Sequence, residues 1–225
     1  MARHNIFHFV HKGLKQLLYQ TSGKILQTDF NNPEETAILI PQLNQALDLL
    51  YNHTVTEHAI ILPAIVSAEP SALLFFEEEQ SQQFSFINRM QALINIFHHA
   101  VSTEEKIEMG SAIRKAFTDL LLHSLQQMAK EELVINKLLW QFYTDTQLKS
   151  LQQKLVATYN QEDLHLLNTW MMRGLSNFEI IAWLKKIKNN ELNILDKMLL
   201  LAKQELSTTR WNLIQEGITE AALLA

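Results

Sequence analysis

Histidine and glutamate occur four residues apart at His53 and Glu57, a spacing that places both side chains on one face of a helix. A second glutamate, Glu131, follows Gln127 at the same spacing. Neutral imidazole and carboxylate groups suit iron, manganese or zinc. Helical bundles hold metal ions with inward-pointing side chains of these types. The pattern therefore indicates either a metal site or a buried layer of hydrogen-bonded polar groups.

Glu131 interrupts a face that is otherwise apolar. The predicted buried face of this helix consists of Leu120, Gln127, Glu131, Val134 and Leu138, at spacings of seven, four, three and four. The pattern runs from His123 to Trp140 without a helix breaker, so we expect one uninterrupted helix there. A buried carboxylate needs a strong partner, which a facing polar side chain or a metal ion can provide.

Four long helices are predicted to position these groups. They cover about residues 3–22, 34–66, 70–99 and 102–143. Short turns between long helices favour antiparallel neighbours, so we expect an up-and-down four-helix bundle. Only five glycines and four prolines occur, and strand patterns with turn pairs are missing, which is typical of the all-α class.

Counting residues from the turns places polar side chains of all four helices at one depth of the bundle. This layer comprises His11, His53, Glu57, Gln80, Gln127 and Glu131. A buried polar group without a partner costs roughly 1–3 kcal/mol of folding free energy, so six such groups at one depth are not expected by chance. We therefore expect these side chains to contact one another or a shared ion.

The sequence resembles the hemerythrin-like family of four-helix bundles. The resemblance covers about residues 5–145 and is carried by His11, His53-Thr54-Val55-Thr56-Glu57, Glu78-Glu79-Gln80, Gln127-Met128-Ala129-Lys130-Glu131-Glu132 and the tail Asn136-Lys137-Leu138-Leu139-Trp140 with Thr144-Asp145. It implies a non-haem di-iron site bridged by carboxylates, with functions in oxygen binding, redox or oxygen sensing, or iron handling. Transferred residue by residue, it makes His11, His53, Glu57 and Glu131 metal ligands.

Two positions depart from the family pattern. Gln80 and Gln127 stand where the resemblance implies histidine, and Phe76 falls near a further histidine of oxygen carriers. Glutamine offers only a neutral amide oxygen, which replaces imidazole poorly. His123, one turn before Gln127, is a candidate substitute ligand. We therefore expect a degenerate site and leave open a di-iron centre, a single or different metal, and no metal.

The remaining chain reads as further helices without a chemical motif. They are predicted at about 146–158, 161–175, 177–188 and 191–216. We accordingly predict a hemerythrin-like bundle over residues 1–145 and a helical C-terminal extension over residues 146–225 that packs on the bundle.

Composition excludes several classes of function. The net charge of −5 gives no long-range attraction to nucleic acid. The absence of cysteine excludes disulfides, thiolate metal sites and cysteine nucleophiles. No apolar run approaches the roughly 20 residues of a membrane span, and no signal-peptide pattern is seen. We therefore expect a cytoplasmic protein that binds neither nucleic acid nor membrane.

Two functions follow from these observations. The first is a non-catalytic binding or signalling module with a degenerate metal site, acting on a protein partner or as a homo-oligomer. The second is a metal-binding, non-haem iron protein for oxygen or redox sensing or for iron handling. An enzyme that uses Glu57 and Glu131 as acid and base is less favoured, because no substrate motif accompanies the pair.

Overall fold

Helices form all of the regular structure in the part of the chain that the computed structural model describes, residues 3–67, 69–190 and 192–220. The helices are α1 His8–Gln27, α2 Pro33–Val66, α3 Ala72–His99, α4 Thr103–Lys130, α5 Asn136–Phe142, α6 Asp145–Thr158, α7 Gln161–Gly174, α8 Asn177–Asn190, α9 Leu192–Glu205 and α10 Thr208–Glu220. A π-helical turn, Glu131–Ile135, joins α4 to α5. The predicted all-α class is confirmed. Within these ranges, no helix has both the length and the apolar character needed to cross a bilayer.

Local capping signals fix the start of two long helices. The Asn32 side chain accepts hydrogen bonds from the amides of Glu34 and Glu35, and Pro33 is the first residue of α2. Ser102 and Glu105 form a capping box at the start of α4. Both starts lie within a residue or two of the predicted bounds.

Other predicted bounds are wrong. Helix α1 begins about five residues later than expected, where the Asn5 side chain accepts hydrogen bonds from the amides of Phe7 and His8, and it also ends about five residues later. Gly23, expected to begin a loop, lies inside α1. A single helix was expected over 191–216, but the structure has two helices there, and the first of them ends at Glu205. The Ser207 side chain accepts a hydrogen bond from the amide of Arg210 at the start of the second helix.

Helices α1 to α4 pack in a closed ring, in which α1 contacts α2 and α4 while α3 contacts the same two helices. Helix α7 lies against α1 over an extensive surface, and α6 contacts α2. Close approach is built into the α1–α7 contact: a Cβ atom added to Gly174 would lie 2.5 Å from the Lys12 carbonyl oxygen. The division of the chain at residue 145 stays a prediction.

The apolar interior consists of two clusters with a polar layer between them. Along each helix that contributes to the layer, one cluster lies before the polar residues and the other after them. The larger cluster includes Leu14, Leu50 and Met128, and the smaller one includes Phe7, Ile61 and Ile135. The positions between them on α1, on α2 and after α4 are His11, His53 with Glu57, and Glu131. Hydrocarbon therefore encloses the polar layer from both ends.

The π-helical turn changes which residues face the interior. Val134, expected on the buried face, is 59% exposed, whereas Ile135 is 3% exposed. Leu139 is buried and Leu138 only partly so. A π turn accommodates one extra residue, so every later side chain moves around the helix by about one position. The predicted uninterrupted face is wrong from Val134 onward for this reason.

Candidate metal centre

Four metal-capable side chains meet in the polar layer. His11 comes from α1, His53 and Glu57 from successive turns of α2, and Glu131 from the start of the π-helical turn. All four are buried, and His11 has no exposed surface. One ligand atom from each residue lies within 4.8 Å of the ligand atoms of the other three. The structure thus brings together all four residues that the sequence suggested as principal ligands; their role as ligands stays a prediction.

The spacing of these atoms fits a single metal ion. Nε2 of His11 lies 3.2 Å from Oε2 of Glu131 and 3.7 Å from Oε1 of Glu57. Nε2 of His53 lies 3.3 Å from Oε1 of Glu57. A tetrahedral ion with bonds of about 2.0–2.2 Å separates its ligand atoms by roughly 3.3–3.6 Å. These three separations therefore lie at or within about 0.1 Å of the tetrahedral range, and the four atoms as a set lie within 4.8 Å of one another.

The same four atoms lack hydrogen-bond partners. Nε2 of His11, Nε2 of His53, Oε1 of Glu57 and Oε2 of Glu131 are buried, and none forms a hydrogen bond within the described residues. Each unsatisfied buried polar group costs roughly 1–3 kcal/mol, a cost that the 3.2 Å ion pair of His11 with Glu131 offsets for two of the four atoms. A cation placed among them would satisfy all four at once.

Without a metal, two residues of the cluster are charged, one positively and one negatively. Burial disfavours charge on His11, but the carboxylates of Glu131, Glu132 and Glu57 outweigh it and raise the His11 pKa to about 10. Burial opposes ionisation of Glu131 too, yet the close contact with the charged His11 holds the Glu131 pKa below its usual value. At neutral pH, His11 is therefore an imidazolium paired with the Glu131 carboxylate.

The other two residues of the cluster are neutral at pH 7. Burial and the nearby positive charge of His11 lower the His53 pKa to about 3. Burial and the negative charge of Glu131 raise the Glu57 pKa to about 8. His53 thus offers a free lone pair, whereas Glu57 must lose a proton before it can bind a cation as a carboxylate.

Glu132 joins the site although sequence reasoning did not assign it. Its Oε1 atom lies 2.9 Å from Nδ1 of His11 and accepts a hydrogen bond of 2.8 Å from Nζ of Lys15. The available signal was the pair of successive glutamates after Lys130. Two adjacent residues of a regular helix point about 100° apart, so the pattern alone did not place both carboxylates at one imidazole.

Gln80 and Gln127, the two positions where the family resemblance implies histidine, lie beside the carboxylates of Glu57 and Glu131. Gln127 donates a hydrogen bond of 2.9 Å from Nε2 to Oε1 of Glu131. Gln80 and Gln127 line a cavity of about 20 Å³ together with Glu57 and Glu131. That volume holds about one water molecule. The cavity therefore adjoins both carboxylates of the cluster.

His123 lies outside the cluster of four. Its ring packs against Phe86 with 5.0 Å between ring centroids, and burial lowers its pKa. The structure therefore does not bring His123 to the position of a substitute ligand.

Comparisons with protein-family models, curated proteins and solved structures found no match for this chain. Interpretation of the centre therefore depends on its own donor set. Two imidazoles and two carboxylates suit divalent ions of iron, manganese or zinc, and the absence of sulfur ligands disfavours copper(I). The two carboxylates together balance the charge of one divalent ion.

Proposed function

We propose that this protein binds one divalent transition-metal ion, iron foremost, through His11, His53, Glu57 and Glu131. The ion would serve oxygen or redox sensing or iron handling, in a hemerythrin-like arrangement of α1 to α4. The observation that carries the proposal is the convergence of four buried ligand atoms, none of which forms a hydrogen bond within the described residues. Closed pairwise packing of the four helices supports the arrangement.

One ion, rather than two, is what the surrounding residues favour. Beyond the carboxylates of Glu57 and Glu131, the cavity is lined by the neutral amides of Gln80 and Gln127, by the imidazole of His58 and by the ion pair of Glu79 with Lys130. The Gln127 amide already engages Oε1 of Glu131, an oxygen that a bridging carboxylate would need for a second ion. Amide oxygens are weak ligands for iron, and the Lys130 ammonium that pairs with Glu79 opposes a further cation, so His58 is the one imidazole that the described lining residues offer to a second ion.

The chain itself would perform three tasks in this function. His53 offers a neutral imidazole, and Glu57 and Glu131 supply the two negative charges. The apolar clusters on both sides keep bulk water from the ligands. A bound ferrous ion would supply one-electron chemistry with oxygen or a redox partner.

A second candidate is a binding or signalling module that uses its helical surfaces and carries no metal. Its support is that Glu131 already has two partners, the amide of Gln127 and the imidazolium of His11. A buried ion pair with hydrogen bonds can persist without a cation. The unpartnered atoms of His53 and Glu57 make this candidate the weaker one.

Iron uptake distinguishes the two candidates. The purified full chain is titrated anaerobically with ferrous iron, and bound iron is determined by elemental analysis after gel filtration. We expect one iron per chain in the wild type, loss of binding in Glu57→Gln, and full binding in Glu77→Gln, which alters an exposed glutamate. A wild-type chain that retains no iron, manganese or zinc contradicts the metal proposal and favours the module.

A further inference from the structure

We infer that Glu132 is a positioning residue of the proposed centre: its carboxylate holds the His11 ring with Nε2 toward the other three ligands, and Lys15 in turn holds Glu132. The inference rests on the proposed function, because it concerns how one of the four ligands is oriented. Sequence reasoning gave neither Glu132 nor Lys15 a role.

The two nitrogens of the His11 ring face different carboxylates. Nδ1 lies 2.9 Å from Oε1 of Glu132, whereas Nε2 lies 3.2 Å from Oε2 of Glu131. The Nδ1 contact meets hydrogen-bond geometry, so Nδ1 carries the hydrogen that is donated to Glu132. Nε2 has no such bond and is the nitrogen left for a metal. When a metal displaces the Nε2 proton of the imidazolium, Glu132 keeps the hydrogen on Nδ1 and therefore sets the tautomer as well as the orientation.

Packing fixes the plane of the ring but does not choose between its nitrogens. Phe7 stacks on His11 with 5.2 Å between centroids and an interplanar angle of 22°. The His53 ring meets it edge-on at 87°. Both contacts are nearly insensitive to a half-turn of the imidazole that exchanges the positions of its ring atoms. The Glu132 hydrogen bond supplies the missing distinction.

Lys15 supports Glu132 from the same helix that carries His11. It lies one turn after His11 on α1, so both side chains reach Glu132 from one face. The Lys15 ammonium lies 2.8 Å from the oxygen that also accepts from His11. The side chains of Lys15 and Glu132 are each 26% exposed, so this pair is the outward end of the network. Loss of the ammonium would leave Glu132 freer to turn toward solvent.

Carboxylate partners of this kind make a ligating imidazole a better donor, and their removal typically costs 10–100-fold in metal affinity. Three variants separate the contributions. Glu132→Gln keeps an acceptor for the Nδ1 hydrogen but loses the charge. Glu132→Leu loses both, and Lys15→Met leaves the carboxylate without its anchor.

The test measures zinc affinity of the full chain by chelator competition, with thermal unfolding of each variant as a check on folding. We expect affinity about 10-fold weaker in Glu132→Gln and about 100-fold weaker in Glu132→Leu, with a smaller loss in Lys15→Met. The exposed variant Glu77→Gln should bind as the wild type does. Nitrogen-15 NMR of the zinc-loaded wild type should show metal on Nε2 and hydrogen on Nδ1 of His11.

The possible failures are distinguishable. Stoichiometric zinc in the wild type with unchanged affinity in Glu132→Gln and Glu132→Leu overturns the inference and leaves the proposed function standing. Metal found on Nδ1 of His11 also overturns the inference alone. A wild-type chain without zinc or iron overturns the proposed function. Weakened binding in a Glu132→Gln chain that unfolds at the wild-type temperature supports the positioning role.

Discussion

Gln127 donates a hydrogen bond of 2.9 Å to Glu131, the residue one turn later on the same helical face. The bond uses Oε1 of Glu131, while Oε2 faces His11. A neutral amide thus occupies the side of the carboxylate away from the proposed ion. This relationship is one reason why we propose a single ion rather than two.

Replacing both glutamines should create a second ion site. In Gln80→His/Gln127→His, two imidazoles would join His58 at the cavity, and Oε1 of Glu131 would be released to bridge two ions. We expect bound iron to rise from one to two per chain, measured by elemental analysis after anaerobic loading. The single variants should show intermediate occupancy of the second position.

A surface histidine provides the matched control for that experiment. Gln82 lies on α3 beside the cavity-facing residues but is exposed and bonds to Glu78. Gln82→His should leave the stoichiometry at one. A double variant that still binds one ion would show that Gln80 and Gln127 do not face a second metal position.

The two carboxylates should differ in their effect on stability without metal. Glu57 is neutral at pH 7, because its pKa is raised to about 8, so Glu57→Gln replaces one neutral group by another of similar shape. Glu131 is charged and pairs with the fully buried His11. Glu131→Gln should lower the free energy of unfolding by roughly 2–3 kcal/mol, with a much smaller change in Glu57→Gln.

Urea denaturation of the metal-free proteins at pH 7 checks this difference, and both variants should also lose iron binding. Equal destabilisation, or a larger loss in Glu57→Gln, would contradict the assignment of the buried charge to Glu131.

Metal affinity should rise with pH. At His11, burial disfavours the charged ring, but the surrounding carboxylates outweigh burial and raise the pKa to about 10. At Glu57, burial and the negative charge of Glu131 raise the pKa to about 8. Both residues are therefore protonated near pH 7 without metal and must lose these protons on binding. Each released proton increases affinity about tenfold per pH unit.

The apparent association constant should consequently rise about 100-fold per unit between pH 6 and 8, and about tenfold per unit between pH 8 and 10. Calorimetry of zinc binding in buffers of different ionisation enthalpy counts the protons directly. Uptake of zinc at pH 7 without proton release would contradict the protonation states assigned to His11 and Glu57.

The close contact of α1 with α7 predicts opposite effects of alanine at two glycines. At Gly174, a Cβ atom would lie 2.5 Å from the Lys12 carbonyl oxygen, so Gly174→Ala must push the helices apart and should cost roughly 1–3 kcal/mol of unfolding free energy. Gly23 lies within α1 with nothing within 4 Å of an added Cβ. Gly23→Ala should therefore stabilise by about 0.5–1 kcal/mol. Thermal unfolding of both variants checks the signs, and a stable Gly174→Ala chain would contradict the tight α1–α7 contact.

The sequence allowed prediction of the elements that have local signals. Asn32 with Pro33, and Ser102 with Glu105, specify helix starts through side-chain bonds to nearby amides, so short-range chemistry is sufficient there. Gly23 was misleading because a glycine can occupy a helix interior as well as end a helix. The contact of α7 with α1 has no sequence signature, since it depends on packing between segments about 160 residues apart.

The sequence likewise allowed prediction of part of the candidate site. Histidine and glutamate at helical spacing on long amphipathic helices identified His11, His53, Glu57 and Glu131, because buried polar residues stand out against apolar faces. The π-helical turn after Lys130 has no local sequence signal, so Glu132 was missed as a partner of His11. Tertiary packing decides where such an extra residue is accommodated.

X-ray absorption at the iron edge of the anaerobically loaded chain tests the central claim most directly. We predict one iron per chain, nitrogen and oxygen neighbours at about 2.0–2.2 Å, and the outer-shell scattering of two imidazoles. Iron that is bound without imidazole scattering, or that shows a second iron at roughly 3.5–4 Å, would contradict a single ion held by His11, His53, Glu57 and Glu131.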